Sequence, residues 1–184
     1  NSVPRFHLTW GTGPEVVRIF AEQVLDAEKR GLVTFAFRHR VDELIVEEGA
    51  AVGVRGRVLE PTDTERGVPS SRVEVADFEL RAGAVIVTSG GIGHNHGLVR
   101  ENWPTERLGP APEFMISGVP DYVDGRMLGI TEAAGGNIVN RDRMWHYTEG
   151  IQNWNPIWSD HAIRIIPGPS SMWLDANGNR LPAP

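Results

Sequence analysis

The sequence of 184 residues predicts a mixed α+β fold. Residues 14–30 carry apolar side chains at the three- and four-residue spacing of an amphipathic helix. Residues 44–59 alternate apolar and polar side chains, as half-buried antiparallel strands do. Residues 84–93 begin as a short apolar run and end in Ser-Gly-Gly-Ile-Gly, which predicts a buried strand followed by a tight turn.

The first predicted element is the helix at residues 14–30. Thr12 is a suitable N-cap, and Gly31 is the expected stop at the carboxyl end. One face of this helix is apolar and comprises Val17, Phe20, Ala21, Val24 and Leu25. Residues 33–37 follow as a short run rich in β-formers, and we expect a strand there.

An antiparallel meander is predicted next. Residues 44–47 and 52–59 are expected to pair as a hairpin on either side of Glu48-Gly49. The polar, proline-containing segment 61–71 is expected to be a loop. Residues 72–80 then predict a further strand.

The predicted buried strand at residues 84–88 is the last of this series. After about residue 93 the alternation of apolar and polar residues typical of strands is lost. We expect a helix at 124–134 that ends at Gly135-Gly136, and a short strand at 137–140. Residues 170–174 predict a last strand, and 175–178 a turn.

Composition excludes several classes of protein. The net charge is −6 with scattered arginines, which argues against nucleic acid as a partner. The absence of cysteine excludes a disulfide framework, a thiolate nucleophile and a cysteine-based zinc site. No apolar stretch approaches the ~20 residues that span a bilayer, so we expect no membrane span and a cytoplasmic location. A small molecule is the expected substrate, and the sequence leaves the oligomeric state open.

Neither end of the chain has the pattern of a natural domain boundary. It begins Asn-Ser-Val-Pro, without an initiator methionine, and stops directly after a predicted strand and turn. We therefore expect an internal piece of a longer protein, with a processed complete domain as the alternative.

The glycine turn at residues 89–93 raises the question of a nucleotide site. Main-chain N–H groups in such a turn can face a phosphate. The turn lacks the G-x-G-x-x-G spacing of a dinucleotide fingerprint, and so does Gly11-Thr12-Gly13. On spacing alone, a tight structural turn explains the glycines equally well.

The order of the elements supplies a further argument. It resembles the middle of FAD-dependent oxidoreductases of the fumarate reductase/succinate dehydrogenase flavoprotein type, a group that includes 3-ketosteroid Δ1-dehydrogenases and tricarballylate dehydrogenases. The residues that carry the resemblance are Arg-Val-Asp-Glu-Leu-Ile-Val at 40–46, Val-Gly-Val-Arg-Gly at 52–56, Ala-Gly-Ala-Val-Ile-Val-Thr-Ser-Gly-Gly at 82–91, Val-Asp-Gly at 123–125 and Asn-Gly-Asn-Arg at 177–180.

The resemblance implies two domain pieces. Residues 1–93 would be part of an α/β FAD-binding domain with an antiparallel meander, and residues 94–184 part of an α+β cap domain over the substrate. The cofactor would be FAD. The reaction would exchange hydride with FAD at a C–C bond next to a carbonyl or carboxylate, in a 3-ketosteroid-like or a fumarate/tricarballylate-like substrate. The first phosphate loop would precede this chain, so the chain alone is expected to be inactive.

The resemblance also implies cofactor-binding residues. Val41 would offer its main chain to the adenine ring, although a plain strand residue explains it too. Ser89, Gly90 and Gly91 would lie along the adenosine and the pyrophosphate, where small residues let the main chain approach the cofactor.

Substrate and catalytic residues are implied in the second half of the chain. Asp124 and Gly125 would lie near the substrate, although Asp124 is also a suitable helix cap. His146 would hydrogen-bond a substrate oxygen and act in catalysis, with a packed histidine in an aromatic cluster as the alternative. Tyr147 would donate a proton or bond a ketone, and with an ordinary pKa of about 10 it would need a partner.

No metal site is expected. His94 and His96 stand two residues apart without carboxylate or cysteine ligands in a usable pattern. Two other functions remain open at this point. The chain could be a non-catalytic ligand-binding module with a Trp-rich groove at residues 145–173, or a nucleotide binder without redox function.

Overall fold

The computed structural model describes residues 13–65, 68–144, 150–163 and 174–180. It has helices and an antiparallel sheet, which confirms the mixed α+β class. The helix at the start and residues 174–180 belong to one compact unit, and residues 37–164 belong to a second. The predicted domain boundary near residue 93 concerns the longer protein and stays a prediction.

Helix α1 spans Gly13–Lys29, as predicted. It ends where Gly31 adopts a left-handed φ of 72°. The Gly31 N–H donates to the Glu28 carbonyl over 2.8 Å, and the Leu32 N–H donates to the Ala27 carbonyl over 2.9 Å. These two bonds satisfy carbonyls that the end of a helix otherwise leaves unpaired, and only glycine takes this φ without steric cost.

The meander consists of β1 (His39–Glu47), β2 (Ala50–Leu59) and β3 (Glu74–Arg81), in that spatial order and all antiparallel. The predicted hairpin and the third strand are confirmed. Glu48 and Gly49 both have positive φ, at 51° and 80°. That is the pattern of the two-residue turn whose twist matches a hairpin.

A β-bulge interrupts β1 where it passes the middle of β2. Val41 pairs with Gly56, and the register then shifts so that Asp42 has no partner opposite it. A Cβ on Gly56 would overlap the Arg40 carbonyl oxygen and lie 2.9 Å from the Asp42 nitrogen. The bulge therefore requires glycine at 56. Bulges of this kind bend a strand and re-aim its side chains, often beside a functional site.

Three predicted strands are wrong. Residues 33–37, 84–88 and 137–140 are not strands, and the supposedly buried run at 84–88 exposes Ile86 to 85%. A strand exists only where a neighbour satisfies its main-chain hydrogen bonds. In the described part of the chain no strand lies beside these three runs. Their main chain therefore forms no ladder, despite the β propensity of their residues.

Three helices follow the glycine turn: α2 (His96–Glu101), α3 (Thr105–Leu108) and α4 (Arg126–Ala133). Helix α4 is the predicted one, and Gly135 ends it with φ 87° and an N–H that donates to the Glu132 carbonyl over 2.9 Å. The sequence analysis missed α2 and α3, because one or two turns are too short to show a helical period.

Short pairings complete the described structure. Strands β4 (Ile151–Gln152) and β5 (Ala162–Ile163) are antiparallel partners. The predicted turn at 175–178 is confirmed, since Asp175 accepts the Asn177 and Asn179 N–H groups. Of the strand predicted at 170–174, only Leu174 lies in the described residues, where it bridges Arg180.

Within the ranges that the structure describes, no helix combines the length and the apolar character needed to cross a bilayer. The cytoplasmic location stays a prediction.

Candidate functional site

A pocket of about 940 Å³ lies within residues 37–164, where β1, the glycine turn and the start of α4 meet. Ligand pockets commonly have volumes of about 300–1,000 Å³, so its size suits a large cofactor. All six residues that the sequence assigned to the cofactor, or to the substrate outside 145–149, lie on its wall. They are Val41, Ser89, Gly90, Gly91, Asp124 and Gly125.

The β1 wall of the pocket ends at the bulge. Val41 lines the pocket at the position where the β1–β2 register is about to shift. His39 lies two residues before Val41 on the same strand. Its ring is edge-on to that of Phe78, with ring centroids 4.7 Å apart. Its Nδ1–H donates to the Phe37 carbonyl over 2.7 Å. The imidazole is thus held by its neighbours, and His39 also lines the pocket.

The glycine wall consists of exposed main chain at residues 89–91. Gly90 has a left-handed φ of 85°. A Cβ built on Gly91 would meet nothing within 4 Å, so no side chain covers the turn there. This is the arrangement in which main-chain groups can approach a ligand closely.

The α4 wall shows why Asp124 and Gly125 occur together. The Asp124 carboxylate accepts the Arg126 N–H over 2.9 Å and so caps the first turn of α4. Gly125 has φ 80°, and a Cβ there would lie 2.7 Å from side-chain carbons of both Ile92 and Leu98. Packing and capping therefore account for both residues, and a substrate contact of Asp124 stays a prediction.

Hydrogen bonds join the glycine turn to the α4 wall. The His94 N–H donates to the Val123 carbonyl over 3.1 Å. The Asn95 side-chain amide donates to the Asp124 carbonyl over 3.1 Å, and its oxygen accepts the Leu98 N–H over 3.0 Å. Asn95 thereby caps α2 and also bonds to the loop before α4, so one side chain links the two walls.

An ion-pair network links β1 to α4. The Arg40 Nε lies 2.8 Å and the Arg126 Nη1 3.5 Å from the same Asp42 oxygen. Arg40 also pairs with Glu74 over 2.7 Å. The hydrogen bond from Arg40 is the main reason that the pKa of Asp42 lies below its ordinary value, although burial opposes it. Asp42 is therefore ionised at neutral pH, and it occupies both guanidinium groups.

His94 and His96 serve the fold behind the glycine turn. Ser117, which is only 1% exposed, donates its hydroxyl proton to the Gly93 carbonyl over 3.2 Å. Its oxygen therefore accepts from His96 Nε2 over 2.8 Å. His94 Nε2 lies 3.2 Å from the Ser159 hydroxyl. Burial is the main cause that lowers the pKa of His96, so it is neutral near pH 7.

The described residues contain no group of three or more histidine, aspartate or glutamate side chains placed to hold a metal ion.

Sequence reasoning missed several residues that line the pocket. His39, Arg40 and Arg126 adjoin predicted residues, so proximity along the chain could have indicated them. Tyr122 lies two residues before Asp124 and could have been indicated in the same way, whereas Arg72 carried no such signal and only the folded chain brings it to the pocket.

Comparison with known proteins now identifies the family. Residues 1–183 match the FAD binding domain family. The chain belongs to that family. FAD is the family's cofactor, and the resemblance drawn from the sequence is confirmed.

Curated relatives agree with this assignment. The chain is 64% identical over its whole length to a KsdD-like steroid dehydrogenase of Mycolicibacterium smegmatis, of which it covers 33%. It is equally identical to a KsdD-like steroid dehydrogenase of Mycobacterium tuberculosis, of which it covers 32%. The chain thus spans about a third of the length of these relatives. No solved structure matches it.

The pocket wall fits a flavin adenine dinucleotide. The uncovered glycine turn provides main chain that an adenosine or a pyrophosphate can approach, and the pocket volume suits a ligand of that size. The predicted catalytic residues His146 and Tyr147 lie outside the described residues.

The described part of the Trp-rich segment, residues 150–163, uses one of its tryptophans for packing. The Trp158 indole N–H donates to the Ser117 carbonyl over 3.1 Å, and its ring lies 3.9 Å from the His161 ring, centroid to centroid. This tryptophan stabilises the region behind the glycine turn and does not line the pocket described above.

Proposed function

We propose that the longer protein containing this chain is an FAD-dependent dehydrogenase that acts on a C–C bond next to a carbonyl. One observation carries the proposal. In a chain of the FAD binding domain family, residues predicted to contact the cofactor lie nearly 50 positions apart in the sequence, at Val41 and Gly90, yet line one pocket.

In this proposal the pocket holds the adenosine and pyrophosphate part of FAD. The main chain of Val41 would contact the adenine, and the turn at residues 89–91 would lie along the ribose and the pyrophosphate. FAD, when bound, supplies the acceptance or delivery of hydride. The residues of this chain bind and orient it.

We infer a 3-ketosteroid as the substrate class, because both relatives described above are named KsdD-like steroid dehydrogenases and share 64% of this chain's residues. Fumarate- or tricarballylate-like carboxylates form the second class that the sequence suggests. His146 would hydrogen-bond a substrate oxygen, and Tyr147 would exchange a proton with the ketone. Asp124 would contribute from the α4 wall.

The first test is the visible absorption spectrum of the purified full-length protein without added cofactor. We expect a flavin spectrum that bleaches with dithionite, and release of FAD on denaturation. A colourless protein that takes up no FAD would overturn the proposal and favour a ligand-binding module.

The second test is turnover with an artificial electron acceptor. We expect oxidation of a 3-ketosteroid with a saturated ring bond, and none of succinate or tricarballylate, the saturated substrates of the carboxylate class. Tyr147→Phe should lower kcat while the flavin spectrum stays unchanged. Activity confined to carboxylates would replace the steroid assignment but keep the flavoenzyme.

A further inference from the structure

We propose that Arg72 binds a phosphate of the nucleotide in this pocket and so sets the affinity for the cofactor. The inference rests on the proposed function. It concerns a residue that lies outside every motif in the sequence, ten residues before the nearest family-like segment at residues 82–91.

Three arginines line the pocket, and two of them are already engaged. Arg40 pairs with Asp42 and Glu74, and Arg126 lies within 4 Å of Asp42 and Asp124. Arg72 is exposed at the pocket wall and forms no ion pair with any carboxylate among the described residues. Arg72 thus lines the pocket with five N–H donors on its guanidinium and no carboxylate paired with them in the described part of the chain.

The main chain before Arg72 is fixed by another arginine. Arg38 donates from Nε to the Glu60 carbonyl over 3.0 Å, from Nη1 to the Ser70 hydroxyl over 3.1 Å, and from Nη2 to the Ser71 carbonyl. The Ser71 hydroxyl donates to the Glu60 carboxylate over 2.8 Å.

The main chain after Arg72 is fixed as well, because the Val73 carbonyl accepts the Glu60 N–H over 2.8 Å. The loop thus presents Arg72 from a fixed base on both sides. Only the side chain has to be ordered on binding, which lowers the entropic cost of recruiting a ligand there.

The other charges that line the pocket show why a phosphate there would need Arg72. Asp121 and Asp124 also line the pocket, and carboxylates repel an anion. An anionic ligand beside the glycine turn therefore needs a cation close by. A guanidinium donates two parallel N–H bonds to phosphate oxygens, which makes it better suited than an ammonium to a pyrophosphate.

The experiment compares Arg72→Gln, Arg72→Lys and the control Arg81→Gln in the full-length protein. Arg81 is an exposed arginine of the same meander that does not line the pocket. After removal of FAD, the dissociation constants of FAD, ADP and adenosine are measured for each variant. Arg72→Gln should weaken FAD and ADP about 10- to 100-fold, the loss of one charged hydrogen-bonded contact, and leave adenosine unchanged.

Arg72→Lys should give an intermediate affinity for ADP, and Arg81→Gln should match the wild type. Wild-type affinity for FAD and ADP in Arg72→Gln would overturn the inference and leave the proposed function standing. Equal losses for ADP and adenosine would also overturn it, because Arg72 would then act through the fold. If Arg72→Gln does not fold, the affinities of Arg72→Lys for ADP and for adenosine are compared with those of the wild type in the same way. A wild-type protein that binds no FAD would remove the proposed function itself.

Discussion

The meander of β1–β3 and the segment at residues 89–136 are stabilised in different ways. In the meander, β2 is paired with a strand on both sides from Gly53 to Val58, so the strands satisfy each other's main chain there. In the second segment, individual side chains bond to main chain: Asn95 to the Asp124 carbonyl, and Trp103 to the Gly109 carbonyl over 3.0 Å. The pocket lies where the two regions meet.

The difference teaches which residues matter in each region. A ladder of main-chain bonds tolerates most side chains, so the meander is sensitive mainly where two strands approach too closely for a Cβ. A segment held by individual side chains depends on each of them, because a buried group that loses its partner is costly. Four substitutions test this contrast, and each can be measured as the thermal midpoint and FAD content of the full-length protein.

Gly56→Ala should have the largest effect. The new methyl group would overlap the β1 main chain at Arg40, which cannot move away as a flexible side chain could. We expect a loss of about 4 kcal/mol or more and a protein without FAD. The control is Gly83→Ala, where a Cβ meets nothing within 4 Å and should change little. Equal effects at the two positions would contradict the close approach at the bulge.

Gly125→Ala should come next. The substitution combines a left-handed φ of 80° with contacts of 2.7 Å to Ile92 and Leu98. We expect a loss of about 2–3 kcal/mol and weaker FAD binding, because α4 and the glycine turn would separate. In the same helix, Gly129→Ala has open space and should stabilise by up to about 1 kcal/mol. A wild-type midpoint for Gly125→Ala would show that the loop adjusts freely.

Ser117→Ala should cost about 1–2 kcal/mol. The substitution leaves the Gly93 carbonyl and the half-buried His96 Nε2 without the partner that the buried Ser117 supplies. Ser159→Ala removes only an exposed hydroxyl near His94 and is the matched control, with a smaller shift expected. If both variants unfold at the wild-type temperature, the contrast between the two regions would not hold.

Asp42→Asn should have the smallest effect at neutral pH, below about 1 kcal/mol after allowance for solvent screening of a partly exposed pair. Because the folded pKa of Asp42 is lowered, its contribution is present above the unfolded pKa and is lost as the pH falls through the folded one. The stability difference between wild type and variant should therefore vanish on acidification.

The control at neutral pH is Asp63→Asn, which changes an exposed carboxylate that forms no ion pair with the described residues. Its stability should match that of the wild type at neutral pH. A difference between Asp42→Asn and wild type that persists at low pH would place the effect outside the ion pair.

Much of the local structure followed from the sequence. The helix period of α1, the stop at Gly31 and the Glu48-Gly49 hairpin turn depend on neighbouring residues alone, and all three are confirmed. The run at 84–88 has the same kind of local signal, yet it is exposed and unpaired in the described structure. Whether a β-prone run becomes a strand depends on a partner elsewhere in the chain, which no local pattern contains.

The sequence by itself determined the α+β class, the antiparallel meander and, through the ordered motifs, the FAD binding family. Only the tertiary structure decided that Val41, the glycine turn and Asp124 line one pocket, and that Arg38 fixes the loop from which Arg72 reaches it. The physical reason is that helical period and turn chemistry act over a few residues, whereas a site is formed by contacts between residues far apart in the chain.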